Sequence, residues 1–237
     1  NWKEDHQETL SKFRQAQADW INDYALFMAL KEEYEGKPWY NWPEPYRLRE
    51  KTALEEYEKS HSDEVAFWVF TQCVFFDQWK KLKLYAHSKD VHIIGDIPIY
   101  VAMDSADVWA NPDMFWMDEK LCPVKVAGCP PDAFSKTGQL WGNPLYNWFK
   151  MKMDGYSWWE KRISAAAEVY DVIRIDHFRG FDSFYAIPAA DETAEFGEWL
   201  QGPGFDFFET IQKKLDDISI IAENLGFLTP SAHELLA

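Results

Sequence analysis

A chain of 237 residues with 47% hydrophobic residues can bury one sizeable core. Its formal net charge of -16 argues against nucleic acid or an anionic membrane as a partner and is compatible with a neutral ligand. The longest apolar stretch, residues 65–76, is too short to cross a bilayer. The 13 tryptophans are an unusual feature, since large rings suit a core and also suit stacking on sugars.

The first 90 residues predict a mainly helical subdomain. Apolar and aromatic residues recur at helical spacing over residues 2–34, and the proline-rich residues 36–45 predict an ordered loop. A short charged helix is predicted over residues 48–59 and a longer one over residues 63–88. The longer helix is expected to bury Phe67, Phe70, Val74 and Leu82.

A first strand and a long loop follow. Residues 91–101 predict the strand, and its pairing is expected to end near Asp96 because Pro98 lacks an N–H donor. Residues 103–148 show no sustained period and predict a long loop. The many aromatic residues of this loop argue against disorder and favour a functional role.

Two further strands each follow a predicted helix. The helix over residues 158–170 leads to a strand ending at Asp176, and a helix within residues 196–215 leads to a strand ending at Glu223. Thr229 is placed to cap a final helix. This alternation predicts an α/β fold with parallel strands. Because three strands cannot close a barrel, and the chain starts without methionine and stops early in its last helix, we expect a fragment of a longer enzyme.

The two strand-ending carboxylates are the candidate catalytic pair. Asp176 is flanked by Arg174, His177 and Arg179, and the guanidinium groups favour its ionised form, as a nucleophile requires. Apolar neighbours favour the protonated form of Glu223, as a general acid requires. The alternative is an ion pair or cap that anchors a loop. A retaining glycoside mechanism needs its two carboxyls ~5–5.5 Å apart, which adjacent strands can supply.

The long loop supplies a mixture of polar and aromatic side chains that suits a sugar. Rings stack on the flat C–H faces of a sugar, while carboxylates and amides hydrogen-bond its hydroxyls. The alternative is a rigid Pro/Gly loop with ordinary aromatic anchors. The residues concerned are Asp132, Phe134, Gln139, Trp141, Asn143 and Tyr146.

No cofactor or metal site is predicted. The cysteines are Cys73, Cys122 and Cys129. Without a Cys-x-x-Cys pair they indicate reduced thiols in a cytoplasmic protein. Asp104, Asp107 and Asp113 resemble a calcium loop only weakly, since the loop glycine and the closing Glu are missing. No glycine-rich phosphate-binding run is present.

Four motifs in a fixed order resemble the 4-α-glucanotransferases (amylomaltases or disproportionating enzymes) of glycoside hydrolase family 77, in the α-amylase clan. The motifs are GDIPIYVAMDSADVW from Gly95, PPD from Pro130 with WGNP from Trp141, RIDHFRG from Arg174, and AENLG from Ala222. The resemblance implies that residues 91–237 are part of a (β/α)8 TIM-type barrel, incomplete in this chain. The helical residues 1–90 are compatible with an inserted subdomain on the N-terminal side.

The resemblance also implies roles for individual residues. Asp176 corresponds to the nucleophile, Glu223 to the acid/base, Arg174 to a residue that orients the nucleophile, and His177 to one that binds the sugar at the cleavage point. The remaining predicted substrate-binding residues are Asp132, Gln139, Trp141, Asn143 and Asp96. The family often has Asp where this chain has Asn224. Its third catalytic Asp would lie beyond residue 237, so we expect the 237-residue segment alone to be inactive.

The implied activity is cofactor-free transfer of α-1,4-glucan segments between maltooligosaccharide or starch chains with retention. The expected partners are therefore glucan donors and acceptors, not nucleic acid or membrane, and no oligomeric state is predicted. Two alternatives stay open. One is a retaining α-glucan hydrolase with water as the acceptor, and the other is a noncatalytic module that binds glucan through its Trp-rich surface.

Overall fold

The computed structural model describes residues 2–215, 217–223 and 229–235, with side chains from residue 7 onward. The chain divides into two compact units. The helical unit comprises residues 1–85 and 104–111, and the sheet unit comprises residues 86–103 and 112–237. The helical unit thus includes residues 104–111, which the sequence analysis assigns to the long loop.

The helical unit is built from six α-helices in its described residues and packs around aromatic rings. The helices are α1 (Trp2–Ala16), α2 (Ile21–Glu33), α3 (Glu44–Arg47), α4 (Lys51–Ser60), α5 (Ser62–His87, whose last two residues belong to the sheet unit) and α6 (Ala106–Ala110). Trp39, in a short 3-10 helix within the predicted loop, and Trp109 of α6 are almost completely buried. Trp42 lies against Trp109, with the ring centroids 5.7 Å apart.

The predicted buried stripe of α5 is wrong. Phe67 and Leu82 are 45% and 52% exposed, and within the described helix Val65 and Val69 are the buried residues. Residues 65–76 are apolar on nearly every side of the helix, so helical spacing alone does not select one stripe. The stripe is set by the neighbours against which α5 packs.

The described sheet unit contains two sheets and four further helices. Its strands are β1 (Ile94–Pro98), β2 (Lys125–Cys129), β3 (Gln139–Pro144), β4 (Val172–Asp176), β5 (Ser183–Pro188), β6 (Glu198–Gln201) and β7 (Ser219–Ala222). Its helices are α7 (Trp148–Met153), α8 (Ser157–Val169), α9 (Gly204–Lys214) and α10 (Pro230–Leu235). Short 3-10 helices cover Pro112–Met114 and Phe178–Phe181. The cap predicted for the last helix is present, since the Thr229 hydroxyl accepts the Ala232 N–H at 3.1 Å.

The first sheet is parallel, in the order β1-β4-β7, as the alternation of strands and helices predicts. Pairing of β1 continues past Asp96 to Pro98, which stands opposite Asp176, so the predicted end of this strand is wrong. The proline is tolerated because its missing donor points away from β4. The Asp176 carbonyl instead accepts the N–H of Ile99 at 3.2 Å.

The second sheet is antiparallel, in the order β3-β2-β5-β6, and was not predicted. The stretch predicted as the loop 103–148 contains two of its strands. The helix predicted within residues 196–215 is present as α9, and β6 precedes it in the same range. The strands β3 and β6 are short and largely exposed, so they lack the alternation that indicates a strand. They are strands because β3 is hydrogen-bonded to β2 and β6 is hydrogen-bonded to β5.

Aromatic rings form the core beneath the parallel sheet. Three rings are fully buried, with centroids 4.7 to 5.5 Å apart. They are Trp159 of α8, Phe181 at the end of the 3-10 helix that follows β4, and Phe207 of α9. Arg162 of α8 donates to the carbonyl oxygens of Pro98, at 2.6 Å, and Ile99. This contact fixes the backbone at the carboxyl end of β1.

Among the described helices of either unit, none combines the length and the apolar character that crossing a membrane requires.

Gly95 of β1 provides a test of this packing. A Cβ at this position would lie 2.0 Å from Cδ2 of the Tyr170 ring, far inside van der Waals contact. We expect Gly95→Ala to lower the free energy of unfolding by about 1–3 kcal/mol, because the ring must be displaced. Urea unfolding of the protein at its full coding length measures the change.

The matched control repeats Gly95→Ala in a Tyr170→Ala background, where the clashing ring is absent. The substitution should be much less destabilising there, which gives a coupling energy between the two sites. An equal loss of stability in both backgrounds would show that the destabilisation does not come from a clash between the added Cβ and the Tyr170 ring.

Candidate active site

The two candidate catalytic carboxylates lie side by side at the carboxyl edge of the parallel sheet. Asp176 is the last residue of β4, and Glu223 directly follows the neighbouring strand β7. The Glu223 N–H donates to the Ile175 carbonyl at 2.9 Å, which extends the pairing of the two strands by one residue. Ligands of parallel α/β sheets bind at this edge. The rest of the motif that begins at Ala222, residues 224–226, lies outside the described residues.

His177 connects the two carboxylates through its backbone. Its φ of 55° is in the left-handed region, where the chain turns from β4 into the 3-10 helix Phe178–Phe181. In this conformation the His177 N–H donates to Oε2 of Glu223 at 3.0 Å. A backbone donor thereby holds the Glu223 carboxyl group beside the residue that follows Asp176.

Arg174 lies between two acidic side chains on the sheet. The register places it opposite Asp96 of β1, and its Nη1 contacts the Asp96 carboxylate. The same nitrogen is 3.9 Å from Oδ1 of Asp176, which is half-exposed. Arg179 has a different environment, with its guanidinium carbon 3.8 Å from the ring centroid of Trp199. Of the two flanking arginines, it is Arg174 that approaches the candidate nucleophile.

The aromatic rings of Trp141 and His177 border the cleft beside Asp176. The ring of Trp141 meets the ring of His177 edge to face, with centroids 4.8 Å apart. Gln139 accepts the Trp141 indole N–H at 3.1 Å, and Asn143 donates to the Val101 carbonyl at 2.9 Å. The first contact orients the indole ring within β3, and the second ties β3 to the segment after β1. The resulting cleft is lined by Pro98, Ile99, Tyr100, Trp141, Asn143, Asp176 and His177.

Of the predicted site residues, Asp176, His177, Trp141 and Asn143 line the cleft. Glu223, Arg174, Asp96 and Gln139 are linked to these residues or to one another by hydrogen bonds and ion pairs. Asp132 lies at a turn, where its Oδ1 accepts the N–H groups of Phe134, at 2.8 Å, and Ser135, at 2.7 Å. Its carboxylate therefore shapes the turn that precedes β3. The Phe134 ring at this turn is almost fully exposed.

Sequence reasoning missed the contribution of the carboxyl end of β1. Its last residue, Pro98, and the next two residues, Ile99 and Tyr100, line the cleft. The Tyr100 ring stacks on Tyr146 with centroids 5.9 Å apart. Burial raises the pKa of the Tyr100 hydroxyl, so this group stays protonated at neutral pH. The signal was present, since Ile99 and Tyr100 follow β1 just as His177 follows β4.

The His177 ring is neutral at neutral pH. Burial lowers the pKa of His177 below its usual 6.5, although Glu223 and Asp176 raise it in part. Because the unfolded chain binds the proton more readily, the stability contributed by the neutral ring is present above about pH 6.5 and is lost as the pH falls through the folded-state pKa. A neutral imidazole can both donate and accept a hydrogen bond, as binding of a sugar hydroxyl requires.

Two of the three aspartates that weakly resemble a calcium loop form ion pairs with lysines. Asp104 pairs with Lys31 and accepts the Trp39 N–H at 3.2 Å, within the helical unit. Asp113 pairs with Lys150, within the sheet unit. The three cysteines, all in the described part of the chain, are free thiols.

The fold and the site define an α/β protein with two carboxylates at the carboxyl edge of a parallel sheet. Its sequence matches the 4-alpha-glucanotransferase family, glycoside hydrolase family 77, over residues 1–237. The chain belongs to this family.

Individual relatives agree with the family match. The 4-alpha-glucanotransferase of Clostridium butyricum is 46% identical over 235 residues, which are 99% of this chain and 48% of that protein. The Thermus thermophilus 4-alpha-glucanotransferase is 48% identical over 98% of this chain and 46% of its own length. The chain therefore spans about half the length of these curated relatives.

A solved structure shows the same backbone arrangement. The amylomaltase from Streptococcus agalactiae in complex with acarbose aligns with a TM-score of 0.93 at 43% identity. The alignment covers 97% of this chain and 46% of that chain.

The electrostatic link between Glu223 and His177 can be tested directly. We expect Glu223→Gln to lower the pKa of His177 further, because the substitution removes a negative charge that favours the imidazolium. NMR titration of the histidine ring signals, with His177 assigned through a His177→Asn variant, measures the shift. The exposed Glu192→Gln is the matched control and should leave the titration unchanged. A rise in the pKa of His177 in the Glu223→Gln variant would contradict the geometry described.

Proposed function

We propose that the protein transfers α-1,4-glucan segments between maltooligosaccharide or starch chains with retention of anomeric configuration. The observation that carries this proposal is the placement of Asp176 and Glu223 on adjacent parallel strands, with the His177 N–H on the Glu223 carboxyl group. Membership of the 4-alpha-glucanotransferase family supports it. So do the names of the relatives from Clostridium butyricum and Thermus thermophilus.

Asp176 is the proposed nucleophile. Its half-exposed carboxylate borders the cleft and attacks the anomeric carbon of the bound glucan while the glycosidic C–O bond breaks. Glu223, acting as the acid, gives its proton to the departing oxygen, so the leaving chain carries a free hydroxyl. This step ends with a glycosyl ester on Asp176 and an ionised Glu223.

Glu223 is the proposed base in the second half of the reaction. It takes the proton of an acceptor hydroxyl, whose oxygen attacks the anomeric carbon and breaks the bond to Asp176. Both carboxyl groups return to their starting forms, and two inversions give retention. A sugar acceptor gives transfer, whereas water gives hydrolysis. The ring of Trp141, which borders the cleft and is 37% exposed, favours transfer because it excludes water and offers a stacking surface to a sugar.

Arg174 is proposed to orient the nucleophile. Its guanidinium group lies 3.9 Å from Asp176, and its contact with Asp96 holds it there. The positive charge of Arg174 at this distance attracts the Asp176 carboxylate and so holds it in the position from which it attacks the sugar. Asp96 therefore acts through Arg174 in this proposal.

The other predicted substrate-binding residues are proposed to act from the strand β3 and the turn before it. His177, Gln139 and Asn143 present hydrogen-bonding groups near Trp141, which suits recognition of sugar hydroxyls. Asp132 is proposed to support binding by shaping the turn rather than by direct contact.

We further propose that residues 91–237 form part of a (β/α)8 barrel. The helix α8 precedes β4 and α9 precedes β7, as in successive βα units. One face of the parallel sheet exposes Ile94, at 60%, and Ile221, at 43%. Apolar side chains on that face are what the interior of a barrel contains. The alignment with the Streptococcus agalactiae amylomaltase supports this reading.

The proposed partners are neutral α-1,4-glucan donors and acceptors. The net charge of -16 is compatible with such ligands and disfavours nucleic acid. The free thiols of the chain support a reducing, cytoplasmic location as part of the proposal.

The product pattern from a short glucan tests the proposal. We expect the protein, expressed at its full coding length, to convert maltotriose into glucose and maltodextrins longer than maltotriose. Transfer regenerates a glycosidic bond in every cycle, so longer products must accumulate. Anion-exchange chromatography of a time course measures them. Glucose and maltose without longer products would identify a hydrolase and contradict the transferase assignment.

The Asp176→Asn variant tests the catalytic role in the same assay. Loss of the nucleophile should lower kcat by about a thousandfold or more. The exposed Asp90→Asn, which removes the same charge outside the cleft, is the matched control and should keep wild-type activity. Full activity of Asp176→Asn would leave only a glucan-binding role for this site.

A further inference from the structure

Three side chains able to bind a metal ion meet at the amino-terminal edge of the parallel sheet. His87 is the last residue of α5, His92 lies two residues before β1, and Asp171 directly precedes β4. The three ligand atoms, one from each side chain, lie within 4.8 Å of one another. His87 Nε2 is 2.9 Å from Asp171 Oδ1, and His92 Nδ1 is 4.0 Å from Asp171 Oδ2.

A hydrogen bond joins only two of the three side chains, His87 and Asp171. His92 Nδ1 is 4.0 Å from Asp171 Oδ2, which is an ion-pair distance but too long for a hydrogen bond, and its ring centroid is 5.7 Å from that of His87. Two imidazoles therefore converge on one carboxylate, and these are donor types that a zinc-class ion takes.

The carboxylate is held in position by the backbone. Asp171 Oδ2 accepts the Ile93 N–H at 2.8 Å, while the Asp171 N–H donates to the Ile93 carbonyl at 2.9 Å. The residue next to His92 thus fixes the side chain of Asp171. Hydrogen bonds of this kind orient metal ligands and raise the affinity of a site.

We propose that His87, His92 and Asp171 bind a divalent transition-metal ion of the zinc class. Two imidazole nitrogens and one carboxylate oxygen suit zinc, whereas magnesium and calcium prefer oxygen ligands. Tetrahedral bonds of about 2.0–2.1 Å place the ligand atoms of zinc roughly 3.4 Å apart. Asp171 Oδ2 is 3.0 Å from His87 Nε2 and 4.0 Å from His92 Nδ1, and the three ligand atoms lie within 4.8 Å of one another. Side-chain rotations that bring the imidazole of His92 closer would therefore complete the coordination geometry.

Binding requires one change in protonation. An ionised carboxylate only accepts hydrogen bonds, so His87 Nε2 carries the proton that it donates to Asp171. To coordinate the ion, Nε2 must lose that proton. A neutral ring moves it to Nδ1, and a cationic ring releases it to solvent. His87 and His92 are 40% and 68% exposed, so water can complete the fourth position.

The proposed site is structural rather than catalytic. Asp171 and Asp176 stand at opposite ends of β4, about 16 Å apart along the strand. An ion at the amino-terminal edge therefore does not reach a sugar bound at the carboxyl edge. It would tie the segment before β1 to the segment before β4 and so stabilise the pairing of these two strands.

Zinc titration of the tag-free, chelator-treated protein at its full coding length tests the proposal. Calorimetry should show one zinc ion bound at this site. His92→Ala should weaken that binding by about tenfold or more, because it removes one of three protein ligands. Zinc should raise the Tm of the wild type and have less effect on the Tm of this variant. His92→Ala does not break the hydrogen bond between His87 and Asp171, so a simple ion pair predicts no change.

Two further measurements sharpen the result. Cobalt substitution should give the visible absorption bands of a tetrahedral site in the wild type, and His92→Ala and His87→Gln should each lose them. His233→Ala, which removes an exposed histidine of α10, is the matched control and should behave as the wild type. Zinc binding that is absent from the wild type, or that is unchanged in both cluster variants, would overturn the proposal. Transfer activity of His92→Ala is expected to stay at the wild-type level.

Discussion

Parallel pairing of β4 with β1 and β7 is the constraint on which the site depends. The register places Ile175 opposite Ala222 and Pro98 opposite Asp176, so the three strands end at the same level. Side chains alternate between the two faces of a strand, and a slip of one residue would therefore turn Asp176 toward the buried face. The bond from the Glu223 N–H to the Ile175 carbonyl continues this register into the site.

One face of the parallel sheet packs into the core, and the other carries the charged groups of the site. One face buries Ile173 and Ile175 almost completely, and the Gly95 backbone meets the Tyr170 ring on the same side. The other face carries the polar residues that approach the cleft, among them Arg174. Since the same hydrogen bonds hold both faces, packing beneath the sheet determines where the charged groups stand above it.

The sequence predicted the parts of the fold that depend on local patterns. The strand β4 was evident because a short apolar run ends abruptly in Arg174, Asp176 and His177. Parallel pairing followed from alternating helices and strands. The antiparallel sheet was not predictable in the same way, because β3 and β6 are short, largely exposed strands that form through pairing with distant partners.

The site shows the same division between local and distant information. Asp132 is a residue type that suits sugar binding, but its carboxylate accepts hydrogen bonds within its own turn, and this contact forms only in the folded structure. The cluster of His87, His92 and Asp171 joins residues that are 84 positions apart, and it exists only because β1 pairs with β4. No local sequence pattern therefore indicates a metal site at this position.

A covalent intermediate on Asp176 is the central claim of the proposed mechanism. The direct measurement uses the Glu223→Gln variant at full coding length and an α-maltosyl fluoride donor. Fluoride leaves without acid assistance, whereas removal of the glycosyl group needs the missing base, so the intermediate should accumulate. Mass spectrometry of proteolytic fragments should then find a maltosyl ester on the peptide that contains Asp176. An adduct on a different residue, with Asp176 unmodified, would contradict the account.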